Sequence, residues 1–231
     1  MSAWSQRSSR VNSSPNREDI TEVLPNLFLG SEAGASNLAM LRRNGITHVL
    51  SVLVPEASDA PDSAFTRMCI PVQDWPDEEL MTHFRAANAF IDEARVAAGS
   101  GVLVHCQQGV SRSATVVAAY RASLPPTPHP LILTADAVMA THPPTPDAVS
   151  AIAFLQSLRP LVQPNAGFTE QLALYGRCDC DLEEHPIAVE AWRAARDRRW
   201  EGRVDRMRRE QGGVGEGMLQ YVWRSLGKLL R

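Results

Sequence analysis

The chain has 231 residues, 44% of them hydrophobic, and a formal net charge of −3, which suits one sizeable core with room for an appendage and gives no global case for nucleic-acid binding. No stretch approaches the ~18 consecutive apolar residues that span a membrane. From Ile187 onward 11 Arg and Lys stand against 6 Asp and Glu, so a basic tail follows an acidic body; it reads as a solvated helix, or as a surface for a partner.

Residues 1–18 are rich in Ser, Asn and Arg without periodicity and are expected to be disordered. They hold no apolar segment, so no signal peptide is expected. "LPNLFLGS" predicts a strand ended by a turn at Gly30 and Ser31. "ASNLAMLRRNGI" sets Leu38, Met40 and Leu41 on one helical side, with Gly45 as the stop. "THVLSVLV" is a β-branched run whose continuous apolar character predicts burial on both faces, and "TRMCIPV" is a further strand. "QDWPDEEL" is a polar loop. Over 82–98, Phe84, Ala87, Phe90, Ile91 and Ala94 recur at helical spacing until Gly99, Ser100 and Gly101 break it. "VLVHC" is another buried strand, and a helix with the apolar body Ala114, Val117, Ala118 and Ala119 runs from Arg112 to Ser123. The prolines of "LPPTPHP" end it. More helices are expected at 134–141, 147–159 and 167–175.

Strands alternating with helices predict an α/β fold, a mostly parallel central sheet with helices on both faces. The organisation read from texture is a disordered segment 1–18, one domain over 19–176, and a polar linker and basic tail over 177–231 that holds Trp192, Trp200 and Trp223.

Four cysteines stand at 69, 106, 178 and 180. Without a secretory signal they are expected to be reduced, in the cytosol or nucleus, and a cysteine in a special setting becomes a candidate nucleophile. Cys106 has that setting. It ends a buried strand, and "CQQGVSR" carries it into a helix. The turn Gln107, Gln108, Gly109, Val110 and Ser111 can curl with its N–H groups inward, Gly109 taking positive φ. The helix directs its positive end at the same point, and Arg112 adds a planar guanidinium. Such a cradle fits a phosphate and also lowers a thiol pKa, placing nucleophile and phosphoryl group in line.

"HCQQGVSRS" resembles the His-Cys-x5-Arg-Ser signature of cysteine-dependent protein phosphatases, and its Gly-x-Ser-Arg-Ser spelling is similar to the dual-specificity branch. "LPNLFLGSEAGASNLAMLRRNGITHVLSV" and "RPLVQPNAGFTEQLALY" resemble other segments of that family, so the likeness covers about residues 20–175. It implies a protein tyrosine phosphatase-like fold and hydrolysis of phosphotyrosine and phosphoserine/threonine in proteins. It further implies that Cys106 forms a cysteinyl-phosphate, and that Arg112 and the N–H groups from Gln107 to Arg112 bind the equatorial oxygens. Ser113 would aid the leaving thiolate, and His105 would orient the loop. The general acid is expected on "CIPVQDWPDEEL". Asp74 follows the strand in the dual-specificity register and is the expected acid, with Asp77 of "WPD" the alternative. Asp92 reads as a solvated helix residue.

Cys178, Asp179, Cys180 and His185 invite a metal reading, but one residue between cysteines is tighter than the C-x₂₋₄-C spacing of zinc sites, so no metal and no cofactor is expected. The rival functions keep the chemistry and change the substrate, or keep the fold as a scaffold. Phosphoinositide phosphatases of the superfamily resemble this loop but carry lysines in it, where Gln107, Gln108 and Val110 are neutral. RNA 5′-triphosphatases of the superfamily spell Asn-Arg-Thr where this chain has Ser-Arg-Ser. Both departures favour a phosphorylated protein as the substrate.

Overall fold

A proline with no N–H to give a ladder and an asparagine that tolerates the left-handed region turn the chain at Pro25 and Asn26. In the computed structural model, which describes residues 19–54, 64–97, 99–124 and 147–210, Asn26 has φ 62° and its N–H donates to Glu22 Oε1 at 3.0 Å. The segment expected as a single strand is therefore the turn and second arm of an antiparallel hairpin, β1 (Ile20–Leu24) and β2 (Leu27–Ser31). The disorder expected at 1–18, the helix expected at 134–141 and Trp223 lie outside the described residues.

β3 (Ile46–Val52), β4 (Thr66–Ile70) and β5 (Gly101–Cys106) complete a five-stranded sheet in the order β1-β2-β5-β3-β4. All pairs except the hairpin are parallel. The register sets Ser31 beside Cys106 and Ser51 beside His105, so the C-terminal ends of β2, β3 and β5 are nearly flush. Every residue of β5 is buried. Because successive side chains point to opposite faces, both faces of the sheet are covered at its centre.

The helices are α1 (Glu32–Ser36), α2 (Leu38–Arg43), α3 (Phe84–Val96), α4 (Arg112–Ser123), α5 (Ala148–Leu158), α6 (Ala166–Arg177) and α7 (Pro186–Glu210), with a 3₁₀ turn at Met81–His83. One core cluster joins Phe28, Val49 and Leu103 of the sheet to Ala35, Leu41 and Phe65. α3 buries Phe84, Ala87, Ile91 and Ala94 as its periodicity predicts. Phe90 is only partly covered and meets His48 edge-on at 5.4 Å. α4 has no polar stripe, because all its residues but Ser123 are buried. Small side chains such as Ala114, Ala118 and Ala119 let neighbouring helices close around it. Asp92 is exposed, as expected, but it is not merely solvated: the Tyr120 hydroxyl donates to its Oδ1 at 2.6 Å and accepts from Arg95 Nη1 at 2.6 Å.

The chain divides into two compact units, with the boundary in sequence between Leu182 and Glu183. In the first, α6 is closed by a tight turn in which Cys180 N–H donates to the Tyr175 carbonyl at 2.9 Å and Asp179 and Cys180 take positive φ. The second contains α7, where Arg196 lies over the Trp192 ring and Arg203 over Trp200. No described helix is long and apolar enough to cross a membrane.

Candidate active site

β5, the central strand, delivers Cys106 to its C-terminal end at 2% exposure, and α4 begins six residues later at Arg112. Between them each backbone carbonyl is captured from outside. Gln107 O accepts from Glu32 N–H at 3.2 Å, Gln108 O from Arg159 Nη2 at 3.2 Å, and Gly109 O from Arg159 Nε at 3.1 Å. Val110 O accepts from Gln163 N–H at 2.9 Å, and Ser111 O from Thr115 N–H at 2.9 Å and Oγ1 at 2.8 Å. Carbonyls held outward leave the amides free to face the concave side, which is the geometry of an anion nest. Gly109 makes the curl possible: its φ is 69°, and a Cβ there would stand 2.4 Å from the Gly30 carbonyl oxygen.

The Cys106 sulfur sits at the floor of this cradle. Gly109 N–H donates to Sγ at 3.3 Å and the Ser113 hydroxyl at 3.2 Å. Burial by itself would raise the thiol pKa. The Ser113 hydroxyl and the amides of Ser113, Val110 and Gly109 outweigh that, and the net shift is below the ordinary value of 9.0. The positive end of α4 acts in the same direction.

Arg112 is buried, with Nη1 donating to the Val72 carbonyl at 3.2 Å. Among the described residues its buried Nε has no hydrogen-bond partner, and it lies 3.9 Å from Asp74 Oδ2. A buried, unsatisfied guanidinium N–H is costly until an acceptor arrives, and an oxyanion supplies one. The cradle opens into a pocket of about 380 Å³ lined by Asp74, Cys106, Gln107, Gln108 and Arg112, with Gln163 and Asn165 from beyond α5. Ser111 stands at the N-cap position of α4 without capping it; its hydroxyl donates instead to Asp74 Oδ1 at 2.7 Å. Asp74 thus faces the pocket, whereas Asp77 is half-buried and not part of its lining.

His105 is 4% exposed. Its Nδ1 lies 3.4 Å from the Cys106 carbonyl, which can only accept, so Nε2 accepts from Ser51 Oγ at 2.7 Å. Burial lowers its pKa to about 4, with the nearby Arg67 adding to the fall against the opposing carbonyl, so the ring is neutral at pH 7. Cys178 is buried in the turn after α6, and burial and Asp179 push the Cys180 thiol up to about 11. Among the described residues, no group of three or more His, Cys, Asp or Glu is placed to hold a metal.

Four residues of the segment 159–175 support the site, and the sequence alone assigns them no role. Arg159 braces the loop, and Asn165 donates to Asp74 Oδ1 at 2.8 Å. Gly167 lets α6 meet the acid loop, since a Cβ on it would lie 1.7 Å from the Pro76 carbonyl oxygen. Gln171, fully buried, accepts from the amides of Leu80 and Met81 at 2.8 and 2.9 Å and donates to the Glu78 carbonyl at 2.8 Å. A signal for Gln171 exists in the sequence: a polar residue three after Phe168 and four before Tyr175 occupies a core position, where it needs partners.

The fold and the cysteine–arginine cradle define the class of cysteine-dependent protein phosphatases. Residues 27–121 match the family described as the catalytic domain of dual specificity phosphatases. The chain is 38% identical over 153 residues to dual specificity protein phosphatase 22-B of Danio rerio, covering 66% of this chain and 72% of that protein. It is 34% identical over 160 residues to dual specificity protein phosphatase 22 of Xenopus tropicalis, covering 69% of this chain and 66% of that one. The crystal structure of the human tyrosine phosphatase-like serine/threonine/tyrosine-interacting protein aligns with a TM-score of 0.55 and 32% identity, covering 70% of this chain and 98% of that one. This chain belongs to the dual specificity phosphatase family.

Proposed function

We propose that the chain hydrolyses phosphotyrosine and phosphoserine or phosphothreonine in proteins through a cysteinyl-phosphate intermediate. The observation that carries this reading is the shared cradle. The amides that face the pocket, together with Arg112, surround a cavity directly above a sulfur whose ionisation the same loop favours. A protein that kept the fold only for binding would not need that sulfur ionised.

In the first step the Cys106 thiolate attacks phosphorus, the S–P bond forms and the P–O bond to the substrate breaks. Asp74 gives its proton to the departing oxygen. Arg112 and the amides from Gln107 to Arg112 hold the three equatorial oxygens, whose charge they stabilise in the transition state. In the second step Asp74, now a carboxylate, takes a proton from water as the water oxygen attacks phosphorus. The S–P bond breaks, the electron pair returns to Sγ, and the Ser113 hydroxyl stabilises the restored thiolate. His105, neutral and tied to Ser51 and the Cys106 carbonyl, fixes the entry to the loop and moves no proton. Such a thiolate works only where it stays reduced, and on that ground a cytosolic or nuclear location is part of this proposal.

The pocket lining supports a single phosphoryl group on a protein. Gln107, Gln108, Gln163 and Asn165 are neutral, and among the described residues Arg112 is the one cationic side chain in the lining. A multiply phosphorylated inositol or an RNA 5′-triphosphate would leave its further charges unpaired there. The test is a panel of phosphotyrosine and phosphoserine peptides, a phosphoinositide and a 5′-triphosphorylated RNA at one enzyme concentration, with Cys106→Ser as the blank. Peptides as the best substrates support the reading; preference for the lipid or the RNA overturns it.

A further inference from the structure

Trp75 stands between two fixed points. Asp74 before it is held through Oδ1 by the Ser111 hydroxyl and the Asn165 side-chain amide. Pro76 after it abuts α6, where a Cβ on Gly167 would lie 1.7 Å from its carbonyl oxygen. The Trp75 carbonyl accepts from Glu78 N–H at 3.1 Å, and a residue before proline is held to extended backbone. A loop pinned in this way does not turn the ring under cover. Trp75 is 53% exposed, and among the described residues its indole has no stacking or cation–π partner.

Single exposed apolar side chains are ordinary on a protein surface, so exposure alone assigns no role. Trp75 differs by its place. Asp74 meets the leaving oxygen, so the substrate chain that carries this oxygen leaves the pocket past the acid loop. The pocket lining holds no aromatic side chain among the described residues, and Trp75 is the ring next to the acid.

Charge decides what the ring receives. Between Arg67 and Arg85 the chain carries Asp74, Asp77, Glu78 and Glu79 and neither Lys nor Arg. On the other side of β5, exposed Glu32 follows β2, its N–H on the Gln107 carbonyl at 3.2 Å. The sheet order thus sets carboxylates on both flanks of the Cys106–Arg112 loop. Such flanks attract a cationic neighbour of the phosphorylated residue and repel an acidic one. Indole is the strongest aromatic partner for a cation, and a guanidinium can stack flat on it. We propose that Trp75 is a specificity-determining residue: its indole receives an arginine that flanks the phosphorylated residue of the substrate. This rests on the reading of a phosphorylated protein as the substrate.

The experiment measures kcat/KM on phosphotyrosine peptides with one arginine, placed one or two residues before or after the phosphotyrosine. Each is compared with the same peptide carrying citrulline, which keeps the shape and loses the charge, and with one carrying glutamate. The enzymes are the wild type, Trp75→Leu and Trp75→Phe, with Cys106→Ser as the blank. The ratio between two peptides within one enzyme cancels any disturbance of Asp74, which acts on both. High ionic strength screens the long-range attraction and isolates the contact. There the wild type should favour arginine over citrulline at the best position by about 3- to 5-fold. Trp75→Leu, with bulk but no π face, should bring that ratio close to one, and Trp75→Phe should fall between. At low ionic strength the arginine preference should grow, and glutamate should be the poorest neighbour. An arginine preference absent from every position, or kept in full by Trp75→Leu, overturns the role of Trp75 and leaves the protein-substrate reading in place. If no phosphopeptide is hydrolysed above the Cys106→Ser blank, that reading falls and the role of Trp75 with it.

Discussion

Arg159 grips the Cys106–Arg112 loop from behind at Gly109, its Nε donating to the Gly109 carbonyl at 3.1 Å. Its Nη2 holds the neighbouring Gln108 carbonyl at 3.2 Å, and its Nη1 reaches Thr21 Oγ1 on β1 at 3.4 Å. One buried guanidinium thus ties two loop carbonyls to the sheet and turns the intervening peptide units so that their N–H groups face the pocket. The planar, forked donor is what the task requires, and an ammonium cannot reproduce it.

Arg159→Met should leave the Gln108 and Gly109 carbonyls unheld and let their peptide units rotate. The expected loss in kcat/KM is on the order of 10²-fold, comparable to removing one preorganised oxyanion donor. Vanadate should inhibit the variant less strongly in proportion. Steady-state kinetics with vanadate inhibition checks this; full vanadate affinity in Arg159→Met would mean that the loop holds its own shape.

Ser113 lies entirely within the core, and its hydroxyl points at Cys106 Sγ. Ser113→Ala removes the largest of the contributions that oppose burial of the thiol, so the pKa of Cys106 should rise. The poorer thiolate is then also a poorer leaving group, and the second step should slow more than the first. Rapid mixing with p-nitrophenyl phosphate should show a burst of p-nitrophenolate in the variant that is larger than in the wild type. An unchanged burst would remove Ser113 from the breakdown step.

His105 makes stability depend on acid. Its pKa is about 4 in the fold against 6.5 for an ordinary histidine. Between those values the unfolded chain binds more protons than the native one, so stability is fully present above pH 6.5 and falls as pH drops toward 4. The shift corresponds to about 3 kcal/mol. His105→Gln should flatten that part of the curve when urea midpoints are compared at pH 7 and pH 5. An equally steep decline in the variant would assign it to other groups.

What could be read in advance follows the distance over which each signal acts. The strand that ends at Cys106, the turn and the helix from Arg112 are contiguous, and every residue type there serves the same local geometry. Those elements, and the approach of Cys106, Arg112 and Ser113, were legible for that reason. In the sequence only register favours Asp74, because Asp77 is chemically its equal; the pocket lining includes Asp74 and not Asp77. The hairpin was missed because "LPNLFLGS" reads as a continuous apolar run until Pro25 and Asn26 are recognised as the turn. Arg159 and Gln171 act across 50 and 91 residues of chain, on Gly109 and Leu80. No periodicity or spacing pairs residues so far apart, so their roles emerge only once the sheet order has brought α5 and α6 to the site.

The account depends on one cradle serving both sulfur and phosphoryl group, and the rate of Cys106 alkylation by iodoacetate against pH, with and without vanadate, tests that directly. The prediction is a midpoint clearly below that of an ordinary cysteine and near-complete protection by vanadate. Alkylation that titrates like a free thiol, or that vanadate does not slow, would contradict it.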